Sequence, residues 1–186
     1  THRVGDIPVS HLEPFVHPTP MLSLSNAFTA EELWEFDTRI KRFLGDDAPE
    51  IIQYAVEAKL DGLAAEIIYE AGKLTRVGSR GDGLTGEDVT HNAISIRAIP
   101  KNLSGDNPPE FVAVRGEVFF LLSGFEEMNE KRIKRGQKTF ENPRNAAAGT
   151  MRQLDPKLCA ERPLTFMTHS IGLTKGMMEF DTLSQQ

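Results

Sequence analysis

The sequence predicts an α+β domain, built from mostly antiparallel strands with interspersed helices. Three observations predict it. Short apolar-rich runs are joined by "DG" and "AG", links brief enough for antiparallel hairpins. Stretches with helical spacing of apolar residues lie between the strand-like runs, several opened by a capping residue. The strands read as hairpin-linked and not as parallel crossover units, and no internal repeat or low-complexity tract interrupts them.

Taken in order, "THRVGDIPVSHLEPF" reads as a Pro-rich linker, so the expected division is a linker over 1–22 and a domain over 23–186. "TAEELWEFDTRIKRFLG" predicts a helix. Thr29 can cap it with Glu32 three residues on, Gly45 can stop it, and Leu33, Phe36, Ile40, Phe43 and Leu44 form its apolar stripe. Strands are expected at about 53–60, 63–70 and 73–80. "RGDGLTGEDVTHNAISIR" predicts a glycine-rich loop entering a helix, with Thr85 and Asp88 spaced as a capping pair. "FVAVRGEVFF" is a strand with Arg115 and Glu117 on one face. Ser123 and Glu126 open a helix through about Lys134. "ENPRNAAAGTMRQLD" opens another, with Asn142 as cap and Pro143 in the first turn. "LTFMTHSIG" is a last strand before the polar tail "DTLSQQ".

Composition narrows the function. At 186 residues, 39% of them hydrophobic, the chain can bury a real core, and no apolar run is long enough to cross a bilayer, so no membrane partner is expected. The single cysteine, Cys159, excludes an internal disulfide and fits a reducing, cytoplasmic setting. Five scattered histidines show no zinc-ligand spacing with it. A net charge of −6 argues against coating nucleic acid by charge alone. Residues 131–152 nonetheless carry a local basic strip: Lys131, Arg132, Lys134, Arg135, Lys138, Arg144 and Arg152.

Two motifs could carry chemistry. "GDGLTG" at 81–86 satisfies G-x-G-x-x-G after a strand and before a helix, the outline of a dinucleotide fingerprint. The antiparallel reading of the preceding strands counts against it. So do Glu87 and Asp88, which would occupy the helix N-terminus that a pyrophosphate needs. The second motif is "EAKLDG". On a strand, Glu57, Lys59 and Asp61 would share one face opposite Val56, Ala58 and Leu60. A lysine amine can attack an electrophilic phosphorus, but only unprotonated, and a free lysine has a pKa of about 10.4. Flanking carboxylates favour the ammonium form, so desolvation, a cation such as Arg80, or Mg²⁺ would have to activate it. The tetrapeptide alone fits an Asp-Gly turn after a solvated lysine equally well.

"TPMLSLSNAF", "EAKLDG", "SRGDGLTGEDVTHN", "RGEVF" and "ENPRNAAAGTMRQLDP" occur together and in order. This combination closely resembles the adenylation (nucleotidyltransferase) domain of bacterial NAD-dependent DNA ligases, over nearly the whole chain. The resemblance implies the nucleotidyltransferase fold, in truncated form. It also implies a three-step reaction: a lysine takes AMP from NAD and releases nicotinamide mononucleotide, AMP passes to the 5′-phosphate of a nick, and the 3′-hydroxyl displaces it. Lys59 resembles the nucleophile. Glu57 resembles the acid that recognises adenine, and Ser23 and Leu24 match a segment contacting the adenosine. Arg80 resembles the arginine holding the ribose or phosphates. Glu117 resembles the acid that bonds the ribose hydroxyls. Asp61 and Glu87 are expected in support, and Mg²⁺ or Mn²⁺ at Glu117 and Asp61. Asn142, Arg144 and Arg152 fall in the segment facing nicked double-stranded DNA.

Where the family usually reads "SLDN" this chain reads "SLSN", so Ser25 replaces an aspartate and must do any capping that acid did. The resemblance further implies a preceding domain that grips nicotinamide mononucleotide, later "DGVVIK" and "K-x-F-P" type segments, and zinc only in another domain of the parent enzyme. The expectation is therefore a monomeric, cytoplasmic fragment that seals nothing alone. Two alternatives stand beside it: an ATP-dependent covalent nucleotidyltransferase, and a non-catalytic DNA-binding module using 131–152.

Overall fold

The computed structural model describes residues 12–105 and 107–176, so the leading residues and the polar tail lie outside the described residues. The chain forms two compact units. One takes in the described residues through Met21 and from Leu60 onward, the other Leu22–Lys59.

The larger unit is built on a four-stranded sheet in the order β3-β2-β5-β6, antiparallel at every pairing. β2 (Leu63–Glu70) and β3 (Lys73–Ser79) form the expected hairpin. It turns through Ala71 and Gly72 at φ 47° and 76°, the left-handed pair whose twist matches that of antiparallel strands. β5 (Phe111–Phe120) takes the other edge of β2, and β6 (Leu164–Lys175) lies outside β5. A smaller sheet pairs β1 (Pro14–Val16) with β4 (Thr85–Glu87). Four helices belong to this unit: α2 (Thr90–Ala93), α3 (Leu122–Lys134), α4 (Pro143–Met151) and α5 (Pro156–Ala160). The architecture is α+β, as the alternation and hairpin links indicate.

One main core joins the sheet to the helices. Ile67 and Tyr69 of β2, Val77 of β3 and Val118 of β5 pack with Val89, Ala93, Ile96 and Ile99, and with Met151 and Cys159 of α4 and α5. Each of the valine, isoleucine and methionine side chains among them contributes roughly 1.5–3 kcal/mol on burial. Phe120, Met128, Ala146 and Ala147 form a second cluster that seats α3 and α4. A third, Phe15, Ile68 and Ala113, places β1 against the sheet.

The smaller unit holds α1 (Ala30–Leu44) and a 3₁₀ turn (Gly45–Asp47). Thr29 and Glu32 make the expected capping box, and Gly45 closes the helix through its N–H to the Lys41 carbonyl. Among the described residues no helix is long and apolar enough to cross a membrane.

Three expectations need correction. Residues 52–61 form no strand: β2 is paired on its two sides by β3 and β5, and residues 52–61 enter neither sheet. Thr85 is not a helix cap: its segment pairs with β1 as β4, leaving a helix of only four residues. Asp88 instead takes the Thr90 N–H at 3.0 Å and the Thr90 hydroxyl at 2.6 Å. Nor does Ser123 cap α3, which begins at Leu122 with no side-chain cap bond.

Candidate functional site

The "DG" that follows Lys59 is fixed by the opposing strand. A Cβ on Gly62 would meet the Val118 carbonyl oxygen at 2.1 Å, so only glycine allows this approach to β5. From there the Gly62 N–H donates to Glu117 Oε1 at 2.9 Å. Glu117 is thereby anchored, half-buried, at the end of the sheet where β2 begins. Arg80 follows β3 directly, its N–H bonded to the Ala64 carbonyl at 2.9 Å and its side chain half-buried.

Beneath Arg80 lies a charged cluster that the motifs did not point to. Glu66, in the middle of β2, is 0% exposed. Its carboxylate faces His17 Nδ1 at 2.6 Å and accepts from Arg115 Nε at 2.8 Å. The His17 Nε2–H reaches the carbonyls of Ser79 at 3.2 Å and Arg80 at 3.0 Å. Arg115 Nη2 also donates to the Thr19 carbonyl at 2.6 Å and hydroxyl at 2.7 Å. Burial pushes the Glu66 carboxyl up, but hydrogen bonds and positive charge from His17 and Arg115 overcome this and hold it below its ordinary value. One buried carboxylate thus binds the segment 17–19 to the sheet and steadies the backbone carrying Arg80. The lone acid inside the apolar run "LAAEIIY" was the sequence signal for it.

The helix residues are held differently. Asn142 caps α4, its Oδ1 accepting from the N–H groups of Arg144 at 2.7 Å and Asn145 at 3.2 Å. Arg144 lies 3.3 Å from Asp61, both largely exposed, an ion pair of small energetic weight. Arg152 Nε donates to the buried Glu87 at 2.5 Å. Arg152 itself is steadied from both sides. The fully buried Asn92 donates to the carbonyls of Met151 at 2.8 Å and Gln153 at 2.7 Å, and His91 Nε2 donates to Gln153 at 2.8 Å. Asn92 and His91 end the motif "SRGDGLTGEDVTHN", but the sequence assigned them no role.

Glu57, Lys59, Ser23 and Leu24 all belong to the smaller unit, where each is exposed and outside regular secondary structure. The strand alternation that aligned Glu57 with Lys59 therefore has no basis in the fold, and their linkage rests on the motif. The larger unit brings together Glu117 with Gly62, Asp61 with Arg144, Glu87 with Arg152, and the backbone of Arg80 with His17. No group of three or more His, Cys, Asp or Glu able to hold a metal occurs among the described residues. The "GDGLTG" loop is no dinucleotide fingerprint: the strands flanking it are antiparallel, and α2 is a single turn.

Comparison with known proteins identifies the family. The family model described as the NAD-dependent DNA ligase adenylation domain matches residues 9–186. A protein named DNA ligase from Alcanivorax borkumensis is 51% identical over 176 residues, covering 95% of this chain and 22% of the relative. Another of that name, from Geobacter metallireducens, is 49% identical over 176 residues, covering 95% of this chain and 26% of the relative. The chain therefore spans about a quarter of the length of these relatives.

Proposed function

This chain belongs to the NAD-dependent DNA ligase adenylation domain family, and we propose that it supplies the nucleotidyl-transfer centre of a DNA ligase that seals nicks in replication and repair. The observation that carries the reading is the family match across residues 9–186, with Lys59 standing in "KLDG" within it. Lys59 Nζ attacks the α-phosphorus of the substrate NAD. A P–N bond forms, the bond to nicotinamide mononucleotide breaks, and the amine proton leaves to solvent. AMP then passes to the 5′-phosphate of a nick, and the 3′-hydroxyl displaces it to close the phosphodiester.

Glu57, Ser23 and Leu24 take the adenosine, and Glu117 bonds the ribose hydroxyls. Arg80 holds the nucleotide's ribose or phosphates, for which a planar guanidinium fork is suited. What supports its role is the ordered backbone on which it sits. Asp61 and Glu117 are hard oxygen donors of the kind that hold Mg²⁺ or Mn²⁺ beside substrate phosphates. Glu87 fixes Arg152, and Asn142, Arg144 and Arg152 meet the nicked duplex. The lone buried Cys159 supports a cytoplasmic setting, and we take the protein to act as a monomer.

The test is intact mass of the full-length protein after incubation with NAD and Mg²⁺. A single AMP adduct that maps to Lys59 and is lost in Lys59→Ala is expected. Adduct formation in the Ala variant would remove Lys59 from its role, and label entering from ATP but not from NAD would replace the donor. Residues 1–186 alone are expected to seal no nick.

A further inference from the structure

The fold distributes the basic strip of residues 131–152 between two places. Arg144 and Arg152 each face a carboxylate, Asp61 and Glu87. Lys131, Arg132 and Arg135 do not stay with them. They meet Arg97, from the turn after α2, and Arg162, from the end of α5, along a cleft of about 740 Å³.

Five cations line this cleft against two carboxylates, Glu127 and Glu161, in a chain whose net charge is −6. Glu127 is already bonded to Lys131 at 2.7 Å. Two of the guanidinium groups are crowded onto one ring: Arg132 lies 4.5 Å and Arg162 5.1 Å from the centre of Phe140. Their hydrogen bonds go to neutral oxygens. Arg132 Nε donates to the Lys138 carbonyl at 2.7 Å, and Arg162 Nη1 to the Thr150 hydroxyl at 2.5 Å. These bonds fix position without cancelling charge. Burial, and then the charge of Arg132, lowers the pKa of Arg162, and the nearby negative charge of Glu161 does not offset them. Among the described residues neither forms an ion pair with a carboxylate.

We propose that this cleft between α3, α5 and the 95–97 turn is a second contact for the phosphate backbone of duplex DNA, separate from the arginines of α4. The proposal rests on the reading that the protein acts on DNA. A polyanion suits the cleft because its five cations come from three separate elements, more than one small anion would engage. Planar guanidinium groups already held by neutral partners meet phosphate oxygens with little further ordering. Such a contact is independent of base sequence and sensitive to salt.

The experiment measures fluorescence anisotropy of a short labelled duplex with the 186-residue chain, from about 50 to 200 mM salt. Arg97→Gln, Lys131→Gln and Arg135→Gln are combined, since these three are exposed and none stacks on Phe140. The combined variant, with an unchanged circular dichroism spectrum, is expected to bind about tenfold more weakly at low salt. Its log–log salt slope is expected to fall by about 2 to 3. A charge-retaining Arg97→Lys, Arg135→Lys variant should recover most of the loss. Wild-type affinity and slope in the combined Gln variant would overturn the proposal. So would failure of the wild-type chain to bind duplex, or equal displacement by polyglutamate, which would make the cleft a seat for acidic polypeptide. Failure of lysyl-AMP formation in the full-length protein strikes the assignment of Lys59 and not this surface, so the two readings fail separately.

Discussion

The helix α1 and the strand β2 both carry strong local signals, yet the two segments end in different surroundings. Around α1 every local device is present. Thr29 and Glu32 make a reciprocal cap, Lys41 pairs with Asp37 one turn back at 3.0 Å, and Gly45 stops the last turn. Even so, no residue of α1 is buried, and Phe43 is 90% exposed. β2 breaks its own pattern with an acid, and that acid is fully enclosed. Local rules decide which backbone forms; they do not decide what it will be packed against. Helix caps and turns act over four residues, whereas Glu66 is enclosed by groups 49 residues away on either side.

The contrast can be broken or sharpened by experiment. The largest effect is expected at Glu66→Ala, which leaves His17 and Arg115 without their carboxylate. Unfolding in urea should show a loss of about 3–5 kcal/mol. A loss under 1 kcal/mol would mean the cluster does not hold segment 17–19. Asn92→Ala comes next, at about 1–3 kcal/mol, since the Met151 carbonyl loses the Asn92 donor and the Gln153 carbonyl keeps only His91. Its loss should also speed amide exchange at the end of α4, read by hydrogen–deuterium exchange.

Acid titration separates the same regions. Ionised Glu66 has a folded pKa below the ordinary value of 4.5, so its stabilisation is complete above about pH 4.5. It is lost as pH falls from there through the lowered folded value. Stability followed by thermal melting should fall over that window, and Glu66→Gln should flatten the decline. An unchanged acid limb in Glu66→Gln would assign it to other groups, Asp88 first among them, since its pKa is also lowered. Within the smaller unit the effects shrink. Thr29→Ala should cost the helix about 1 kcal/mol, seen as lost helical circular dichroism. Phe43→Ser should change stability by no more than about 0.5 kcal/mol. A larger loss there would give the smaller unit a core that its exposure denies.

Much of the fold was legible because it is local. The β2–β3 hairpin followed from "AG", the start of α4 from Asn142 and Pro143, and β5 from its run of β-formers. The strand expected at 53–60 failed because alternation of side chains says nothing about whether another strand pairs with the segment. The β4 segment was mistaken for a helix start because its true partner, β1, lies some seventy residues earlier. At the candidate site, "KLDG" and "RGEV" pointed to Lys59 and Glu117, and the Gly62 bond to Glu117 ties the ends of those two motifs together. His17, Glu66, His91 and Asn92 were assigned no role, since each acts through partners far away in sequence.

By itself the sequence determined the fold class, most of the longer elements, the family to which the chain belongs, and the lysine proposed to accept AMP. These depend on contiguous motifs and on periods of two and 3.6 residues, which the chain carries whatever surrounds it. Only the tertiary structure decided which charges are neutralised and which are left. Glu66 meets His17 and Arg115, and Glu87 meets Arg152 across 65 residues, while Arg132 and Arg162 crowd one ring with no acid between them. The reason is that electrostatic energy depends on separation in space and on burial, neither of which spacing along the chain specifies.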